Sequence, residues 1–228
     1  MKNGEPKNKG NKSHAARIFI VDDHPMMRDG MATQILHEPG LSVCGEADDV
    51  EPALQLISEL CPDLVIIDIS LKTGHGIDLI KRLRERNSTV KMLVISMYDE
   101  AVYAERSLQA GAMGYLNKQT ARETLINAIR TVLEGKTYLS PEMTDRILKS
   151  HIGGMVEPGK SPVANLSDRE LEVLTLIGQG NTTGAIAKKL FLSVHTIDTY
   201  REKLKIKLSL ANAAELNCFA TQWVLENG

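Results

Sequence analysis

The chain has 228 residues, of which 43% are hydrophobic and 25% are charged, and its formal net charge is -2. This mix is typical of a soluble globular protein, and the length suits one large domain or two ordinary ones. No apolar run approaches the ~20 residues that a membrane-spanning helix needs, so we expect no membrane partner. Because the net charge is slightly negative, binding to nucleic acid would require a local basic surface.

The N-terminal segment and the cysteines give two weaker indications. Residues 1–15 are rich in Lys, Asn and Gly and lack the apolar core of a signal peptide, so we predict a disordered tail. The three cysteines, Cys44, Cys61 and Cys218, are scattered and have no metal-ligand spacing. Such cysteines are typical of a reducing compartment, and we therefore predict a cytoplasmic protein.

Between residues 16 and 137, short apolar runs alternate with stretches of helical period. The predicted strands are Ile18–Val21, Leu41–Cys44, Leu64–Ile67, Met92–Ile95 and Gly114–Leu116. The predicted helices are Met26–Leu36, Val50–Leu60, Ile77–Arg86, Glu100–Gln109 and Ala121–Leu133, the last with a capping box over Thr120–Glu123. Continuously apolar strands are typical of a parallel sheet that is covered on both faces. Five strand–helix repeats therefore predict a doubly wound α/β domain.

The pattern changes after residue 137. Residues 138–164 are rich in Pro and Gly and read as a linker with one short helix near Pro141–Lys149. From residue 165 to residue 228 only helical patterns follow. A capping box at Ser167–Glu170 opens the first of them, and Ser193 caps the third. We predict a small all-α domain of four helices.

Charged side chains follow several of the predicted strands. Asp22 and Asp23 come after the first strand, Asp68 after the third and Lys118 after the fifth, while Ser96 ends the fourth. Ligands of an open parallel sheet bind at the carboxyl ends of its strands. Three carboxylates brought together there would repel one another, which favours a bound cation, and oxygen ligands favour Mg²⁺. A hydroxyl and an ammonium group can both donate to a phosphoryl oxygen.

In this order, Asp22-Asp23, Asp68, Ser96, Tyr115 and Lys118, the first domain resembles the receiver domain of bacterial response regulators. The resemblance implies a five-stranded sheet of order 2-1-3-4-5, the order that CheY illustrates. It also implies that Asp68 accepts a phosphoryl group from a sensor histidine kinase, and that Asp22, Asp23, Asp68 and the Ser70 carbonyl hold Mg²⁺. Ser96 and Lys118 would bind the phosphoryl group, and Tyr115 would swing inward after it arrives.

The loop after Asp68 departs from the family pattern. Leu71 and Lys72 stand where the family often has Met-Pro, whereas Gly76 keeps its place, so we expect a loop of different shape. A rival interpretation is an aspartate-nucleophile phosphatase. That class uses a second aspartate two residues after the nucleophile as a general acid, and Ser70 is unsuited to this role. We therefore expect no enzyme, and at most weak self-phosphorylation and autodephosphorylation.

The second domain resembles the LuxR/NarL-type helix-turn-helix output domain. The matching residues include Leu166-Ser167, Arg169-Glu170, Leu190, Leu192-Ser193 and Thr196-Ile197. The helix that begins at Ser193 would enter the major groove of double-stranded DNA with its N-terminal part facing the bases. The candidate DNA-binding residues are Ser193, His195, Thr196, Asp198, Thr199, Arg201, Glu202, Lys203 and Lys205. The resemblance also implies a homodimer in the phosphorylated state, with Leu216, Ala220 and Trp223 of the final helix as candidate dimer contacts.

Two acidic residues modify this expectation. Asp198 and Glu202 lie one helical turn apart at positions where the family often carries lysine. A carboxylate can accept from cytosine N4 but repels phosphate, so we predict a different base preference. The alternative is a receiver whose helical domain binds a protein partner instead of DNA. In either case the chain is predicted to be a phosphorylation-dependent regulator, and in the first case it controls transcription.

Overall fold

The computed structural model describes residues 15–86, 88–119, 122–152, 163 and 165–227. Its strands are β1 (Ala16–Val21), β2 (Leu41–Ala47), β3 (Leu64–Ile67), β4 (Lys91–Ser96) and β5 (Gly114–Asn117). The helices of the first domain are α1 (Pro25–Leu36), α2 (Val50–Leu60), α3 (Gly76–Glu85), α4 (Glu100–Ala110) and α5 (Arg122–Leu133). They are followed by α6 (Pro141–Ile152), α7 (Asp168–Gly178), α8 (Thr183–Lys189), α9 (Val194–Leu208) and α10 (Ala213–Asn227). The predicted tail, the capping box at Thr120 and much of the linker lie outside the described residues.

The five strands form one parallel sheet of order β2-β1-β3-β4-β5, so the predicted doubly wound α/β fold is confirmed. The central strands β1 and β3 are buried along their apolar runs, as expected for a sheet with helices on both faces. Their side chains alternate between two apolar cores. One core contains Ile18 and Ile20, and the other contains Phe19 and Val21.

Side-chain caps define the starts of many helices. Asp49 and Asp99 cap α2 and α4, and Thr182 and Ser193 cap α8 and α9. The predicted capping box of α7 is present. The Ser167 hydroxyl accepts from the Glu170 N–H, and the Glu170 carboxylate accepts from the Ser167 N–H. These caps satisfy backbone donors that a helix leaves free in its first turn.

Helices α7 to α10 form the predicted helical domain. Helix α10 packs closely on α7, where a Cβ atom at Gly178 would collide with the backbone of Ala220. Helices α8 and α9 are joined by a tight turn in which Phe191 has a positive φ of 53°. Ile197 and Leu204 of α9 are buried, so the apolar side of this helix faces the domain core as predicted. The architecture is a helix-turn-helix unit supported by two further helices.

The two domains contact each other through α7. Lys81 of α3 lies 2.8 Å from the Asp168 carboxylate, and Arg106 of α4 donates to the same carboxylate. Tyr98 and Tyr103 of the first domain belong to the same buried apolar cluster as Leu171 of α7. The first residue of the linker is held in place, because Tyr138 forms backbone hydrogen bonds with Met113 and Tyr115 at the β5 edge.

Among the described residues, no helix is long and apolar enough to cross a membrane.

Candidate phosphorylation site and DNA-binding surface

The three predicted carboxylates meet at the carboxyl edge of the sheet. β1 and β3 are neighbours in register, with Val21 opposite Ile67, so Asp22 and Asp68 leave the sheet side by side. The Asp68 N–H donates to the Val21 carbonyl (2.8 Å), which ties the two strand ends together. Ligand atoms of Asp22, Asp23 and Asp68, together with one of the exposed His24, lie within 4.8 Å of one another.

Lys118 completes this group from the end of β5. Its ammonium Nζ lies 2.6 Å from Oδ2 of Asp22 and 2.6 Å from Oδ2 of Asp68, and its side chain is only 2% exposed. The Lys118 backbone N–H donates to the Ser96 carbonyl, so the ends of β4 and β5 position it. Four of the predicted residues, which span 97 positions of the sequence from Asp22 to Lys118, therefore form one charged cluster.

Burial changes the acid–base properties of the cluster. It raises the pKa of Asp68 to about 7, against the attraction of Lys118 and with a contribution from the Asp22 charge. Burial also raises the pKa of Asp23. For Lys118 burial acts in the opposite direction, but Asp68 and Asp22 outweigh it and the pKa of Lys118 is raised. Lys118 is therefore a cation at neutral pH, and a second cation would favour full ionisation of the carboxylates.

The donor set suits Mg²⁺. Oδ2 of Asp22 and Oδ1 of Asp23 are buried and accept no hydrogen bond of good geometry from the described residues, although Lys118 and His24 lie nearby. Buried carboxylate oxygens are costly unless cations compensate them, and the one ammonium group of Lys118 is shared between Asp22 and Asp68. Mg²⁺ prefers oxygen ligands, and several carboxylate oxygens lie close together here. Asp22, Asp23 and Asp68 thus fit the ion that the sequence resemblance implies.

Ser96 and Tyr115 lie beside the cluster, and both are buried. The Ser96 hydroxyl accepts from the Tyr98 N–H (3.2 Å), and the Tyr115 hydroxyl donates to the Tyr98 carbonyl (2.8 Å). The Tyr115 side chain therefore points inward in this structure. The expected movement of Tyr115 on phosphorylation stays a prediction.

Two residues near the site were not predicted from the sequence. His75 is the N-cap of α3 and is buried at the domain contact, and burial lowers its pKa. Tyr98 is bonded through its backbone to both Ser96 and Tyr115, and its hydroxyl donates to Glu172. The role of Tyr98 leaves no local sequence signal, because its hydroxyl partner Glu172 belongs to α7. The His75 side chain instead accepts from the Ile77 N–H of α3.

The predicted DNA-binding residues lie at the surface of α9 and its cap. Ser193, His195, Asp198, Thr199, Glu202 and Lys203 are exposed, whereas Thr196, Arg201 and Lys205 are half-buried. Two of the basic residues have partners. Arg201 donates to Asn217 of α10 (3.0 Å), and Lys205 pairs with Glu202 (2.9 Å). The surface is open to a ligand, but pairing and the two carboxylates weaken its positive charge.

The candidate dimer residues are buried inside the protein and not exposed for contact with a partner. Leu216 and Ala220 are fully buried and Trp223 is 9% exposed, all three within the apolar core of their own domain. This part of the prediction is corrected, because the helix-turn-helix unit needs these side chains to cover α7. A dimer contact on α10 would have to use its exposed side, which includes Thr221 and Leu225.

Comparison with known proteins agrees with this architecture. Residues 18–130 match the family "Response regulator receiver domain", and residues 164–220 match "Bacterial regulatory proteins, luxR family". The response regulator GacA of Pseudomonas aeruginosa is 33% identical over 207 residues, which cover 90% of this chain and 95% of GacA. The oxygen regulatory protein NreC of Staphylococcus carnosus is 34% identical over 204 residues, which cover 88% of this chain and 94% of NreC.

Solved structures of similar architecture include RcsB from Salmonella enterica serovar Typhimurium bound to promoter P1flhDC in the presence of phosphomimetic BeF3-. The similarity has a TM-score of 0.59 at 26% identity and covers 92% of this chain and 100% of that chain. A two-component response regulator of the LuxR family from Aurantimonas sp. SI85-9A1 gives a TM-score of 0.57 at 33% identity, over 60% of this chain and 99% of that chain. Fold, site geometry and relatives therefore agree that the chain belongs to the LuxR/NarL-type response regulators, two-component transcriptional regulators with a receiver domain and a helix-turn-helix domain.

Proposed function

We propose that Asp68 is the phosphorylation site of this regulator and that a sensor histidine kinase supplies the phosphoryl group. The observation that carries this proposal is the convergence of Asp22, Asp23, Asp68 and Lys118 at one edge of the sheet. Asp68 lies between two other acidic side chains and one ammonium group, so its carboxylate can be ionised and oriented by the same residues that would hold a dianionic group.

The transfer follows from the chemistry of these groups. An oxygen of the Asp68 carboxylate attacks phosphorus, a P–O bond forms, and the P–N bond to the kinase histidine breaks. The electron pair leaves on the imidazole nitrogen, which takes up a proton. Asp22 and Asp23, with the Ser70 carbonyl, would hold Mg²⁺, which neutralises charge on the phosphoryl oxygens when it is bound. Lys118 keeps its place and exchanges a carboxylate partner for a phosphoryl oxygen.

The chain itself acts as a phosphoacceptor and we propose no further catalytic activity. Ser70 occupies the place at which an aspartyl phosphatase would carry its general acid, and its hydroxyl is bonded to Tyr98 and Glu172. Autodephosphorylation by water is then expected to be slow.

We propose that the output is binding to double-stranded DNA through α9, as a homodimer when Asp68 is phosphorylated. The exposed N-terminal part of α9 supports this, since it presents hydroxyl and imidazole groups to a ligand, and Lys203 lies exposed further along the helix. The promoter complexes of RcsB with a phosphomimetic are further support. The docked arrangement of the domains would be the resting state, and phosphorylation would shift the population to a released state. DNA as the ligand places the protein in the cytoplasm.

A second candidate output is binding to a protein. The exposed carboxylates of Asp198 and Glu202 favour it, because they repel phosphate. The salt dependence of binding separates the two outputs, since a steep decrease in affinity with salt is the signature of phosphate contacts.

Footprinting on target promoter DNA, with and without a small phosphodonor plus Mg²⁺, tests the proposal. We expect sequence-selective protection that requires the phosphodonor, and its loss in Asp68→Asn. Asp29→Asn is the matched control, because Asp29 is an exposed aspartate on α1 that is not part of the acidic cluster. Stoichiometric phosphorylation of Asp68→Asn would show that the site is another residue, and phosphorylation without selective DNA protection would favour a protein partner.

A further inference from the structure

Glu172 of α7 is an acidic residue of the helix-turn-helix domain that is completely buried against the receiver domain. Its Oε1 accepts from the Ser70 hydroxyl (2.8 Å) and from the Tyr98 hydroxyl (2.7 Å). Its Oε2 accepts from Arg169 of the same helix (2.6 Å). One oxygen is thus satisfied by its own domain and the other by two hydroxyl groups of the receiver.

The two receiver partners of Glu172 occupy equivalent places in two loops. Ser70 lies two residues after Asp68, and Tyr98 lies two residues after Ser96. Tyr98 is further tied to the switch residues, because its N–H donates to the Ser96 hydroxyl and its carbonyl accepts from the Tyr115 hydroxyl. A single carboxylate of the output domain therefore connects the loop that follows the phosphorylation site with the loop that follows the switch serine.

Asp168 makes a second polar contact between the domains, and its partners are charged groups. Asp168 pairs with Lys81 of α3 and Arg106 of α4, and Arg106 also donates to the Leu166 and Val163 carbonyls. Burial raises the pKa of Asp168, but Lys81 and Arg106 together with His75 outweigh it and the pKa is lowered. These bonds hold the domains together through two helices and touch neither loop. They hold the domains together but do not respond directly to the state of Asp68.

The energetic asymmetry of a buried carboxylate makes Glu172 a suitable sensor. A buried charge that keeps its donors contributes modestly, whereas one that loses a donor costs the full desolvation of the group. If Ser96 turns its hydroxyl to a phosphoryl oxygen, the Tyr98 N–H loses its acceptor and the loop around Tyr98 shifts. Glu172 then loses a hydroxyl donor in a site that water cannot reach, so the docked state loses more stability than one hydrogen bond provides.

We propose that Glu172 is the residue through which the output domain senses phosphorylation of Asp68. Its docking requires Ser70 and Tyr98 to be in the positions that they occupy before Asp68 is phosphorylated. This inference rests on the proposed phosphorylation of Asp68. In this proposal phosphorylation is detected at α7 and does not act by uncovering α9. The N-terminal part of α9 is already exposed in the docked state. Because coupling between two sites is reciprocal, docking through Glu172 also opposes occupation of the phosphorylation site.

The test uses the full-length chain, with Mg²⁺ and beryllofluoride as a stable substitute for the phosphoryl group. Tyr98→Phe removes one hydroxyl from the receiver side and Glu172→Ala removes the carboxylate from the output side. Small-angle X-ray scattering reports separation of the domains, and calorimetry reports beryllofluoride affinity. Wild type is expected to expand only with beryllofluoride. Both variants are expected to be expanded without it and to bind it about tenfold more tightly, a usual size for coupling between sites.

Two controls separate the possible failures. Glu105→Gln alters an exposed residue of α4 outside the contact and should behave as wild type. Lys81→Ala weakens the attachment at Asp168 but should still require beryllofluoride for full expansion. If wild type binds no beryllofluoride, the proposed phosphorylation site is at fault. If it binds but both variants remain compact with unchanged affinity, the role of Glu172 is refuted. Tyr98→Phe keeps the ring, so the test stands even if Glu172→Ala unfolds.

Discussion

At the scale of single residues, the proposed phosphorylation site depends on how its buried charges are compensated. Asp22 and Asp68 share one ammonium group, and both are buried. Lys118 therefore neutralises only part of the negative charge, and burial raises the pKa of Asp68 to about 7. A raised pKa favours the protonated carboxyl and a bound cation favours the ionised one, so metal binding is linked to the loss of a proton.

A first prediction concerns pH and Mg²⁺. With a pKa near 7 in the metal-free protein, Asp68 is mostly protonated at pH 6 and mostly ionised at pH 8. Because Mg²⁺ binds the ionised form, its affinity should rise about tenfold between these two pH values. Titration calorimetry at the two values measures this. Asp68→Asn should bind weakly and with much less pH dependence, and an equal pH dependence in this variant would assign the proton to another group.

The same pKa predicts how stability depends on pH without metal. The pKa of Asp68 is raised in the folded state, so the folded state binds the proton more tightly than the unfolded state. The stabilisation is fully present below the unfolded pKa of 3.8 and is lost as pH rises through about 7. Urea denaturation in EDTA should therefore show wild type losing stability from pH 5 to pH 8 relative to Asp68→Asn. A constant difference between the two proteins would contradict this.

Gly76 shows how closely the backbone is packed around Asp68. A Cβ atom at this position would collide with the Asp68 carbonyl oxygen, which belongs to the backbone and cannot turn aside. We predict that Gly76→Ala lowers the free energy of unfolding by about 1–3 kcal/mol and weakens beryllofluoride binding. Gly30→Ala is the control, because Gly30 lies within α1 with no atom near its Cβ position, and this change should be neutral or stabilising. Equal urea midpoints for the two variants would argue against the collision.

At the scale of helices and strands, the start of α7 combines two functions. Its capping box at Ser167 and Glu170 defines the first turn, and that turn places Asp168 and Glu172 against the receiver domain. The Glu170 carboxylate also accepts from Lys207 of α9 (2.6 Å). Burial raises the pKa of Glu170, but Lys207 and Ser167 outweigh it and the pKa is lowered. The cap therefore connects the docking helix to the recognition helix.

The cap of α7 should contribute to the stability of the helical domain. Ser167→Ala removes the acceptor of the Glu170 N–H and should destabilise the helical domain by about 1 kcal/mol. Ser167→Asp supplies another acceptor and should restore most of the stability. Thermal unfolding followed by the fluorescence of Trp223, which reports on this domain, measures both variants. A Ser167→Ala protein as stable as wild type would show that the cap is dispensable.

The charge of α9 leads to a second prediction at this scale. Glu202 pairs with Lys205, and Asp198 is exposed one turn earlier. If the helix faces DNA, Glu202→Gln should release Lys205 for phosphate and steepen the slope of log affinity against log salt concentration by about one. Glu226→Gln, at the exposed end of α10, is the control. A Glu202→Gln protein with an unchanged slope would favour the protein-binding alternative.

At the scale of the whole molecule, the docked state joins two domains that each have their own secondary-structure pattern. The sequence predicted both patterns, since apolar periodicity and caps are local properties of the chain. It also predicted that Asp22, Asp23, Asp68 and Lys118 meet, because each follows a strand and parallel strands end at one edge of the sheet. The ends of α1 to α5 agree with the structure to within one residue, whereas α6 extends to Ile152, three residues beyond the predicted end at Lys149.

Other features were decided only by the tertiary structure. The inward position of Tyr115, the burial of Leu216, Ala220 and Trp223, and the docking of Glu172 depend on which surfaces pack together. Glu172 lies 102 residues from Ser70 and 74 from Tyr98, and both partners are neutral hydroxyls. A contact between such distant residues leaves no periodic pattern and no fixed spacing in the sequence, since it forms only when the surfaces of two folded domains meet. Local chemistry along the chain therefore determined the fold of each domain and the acidic cluster around Asp68, whereas the contact between the domains required the packed molecule.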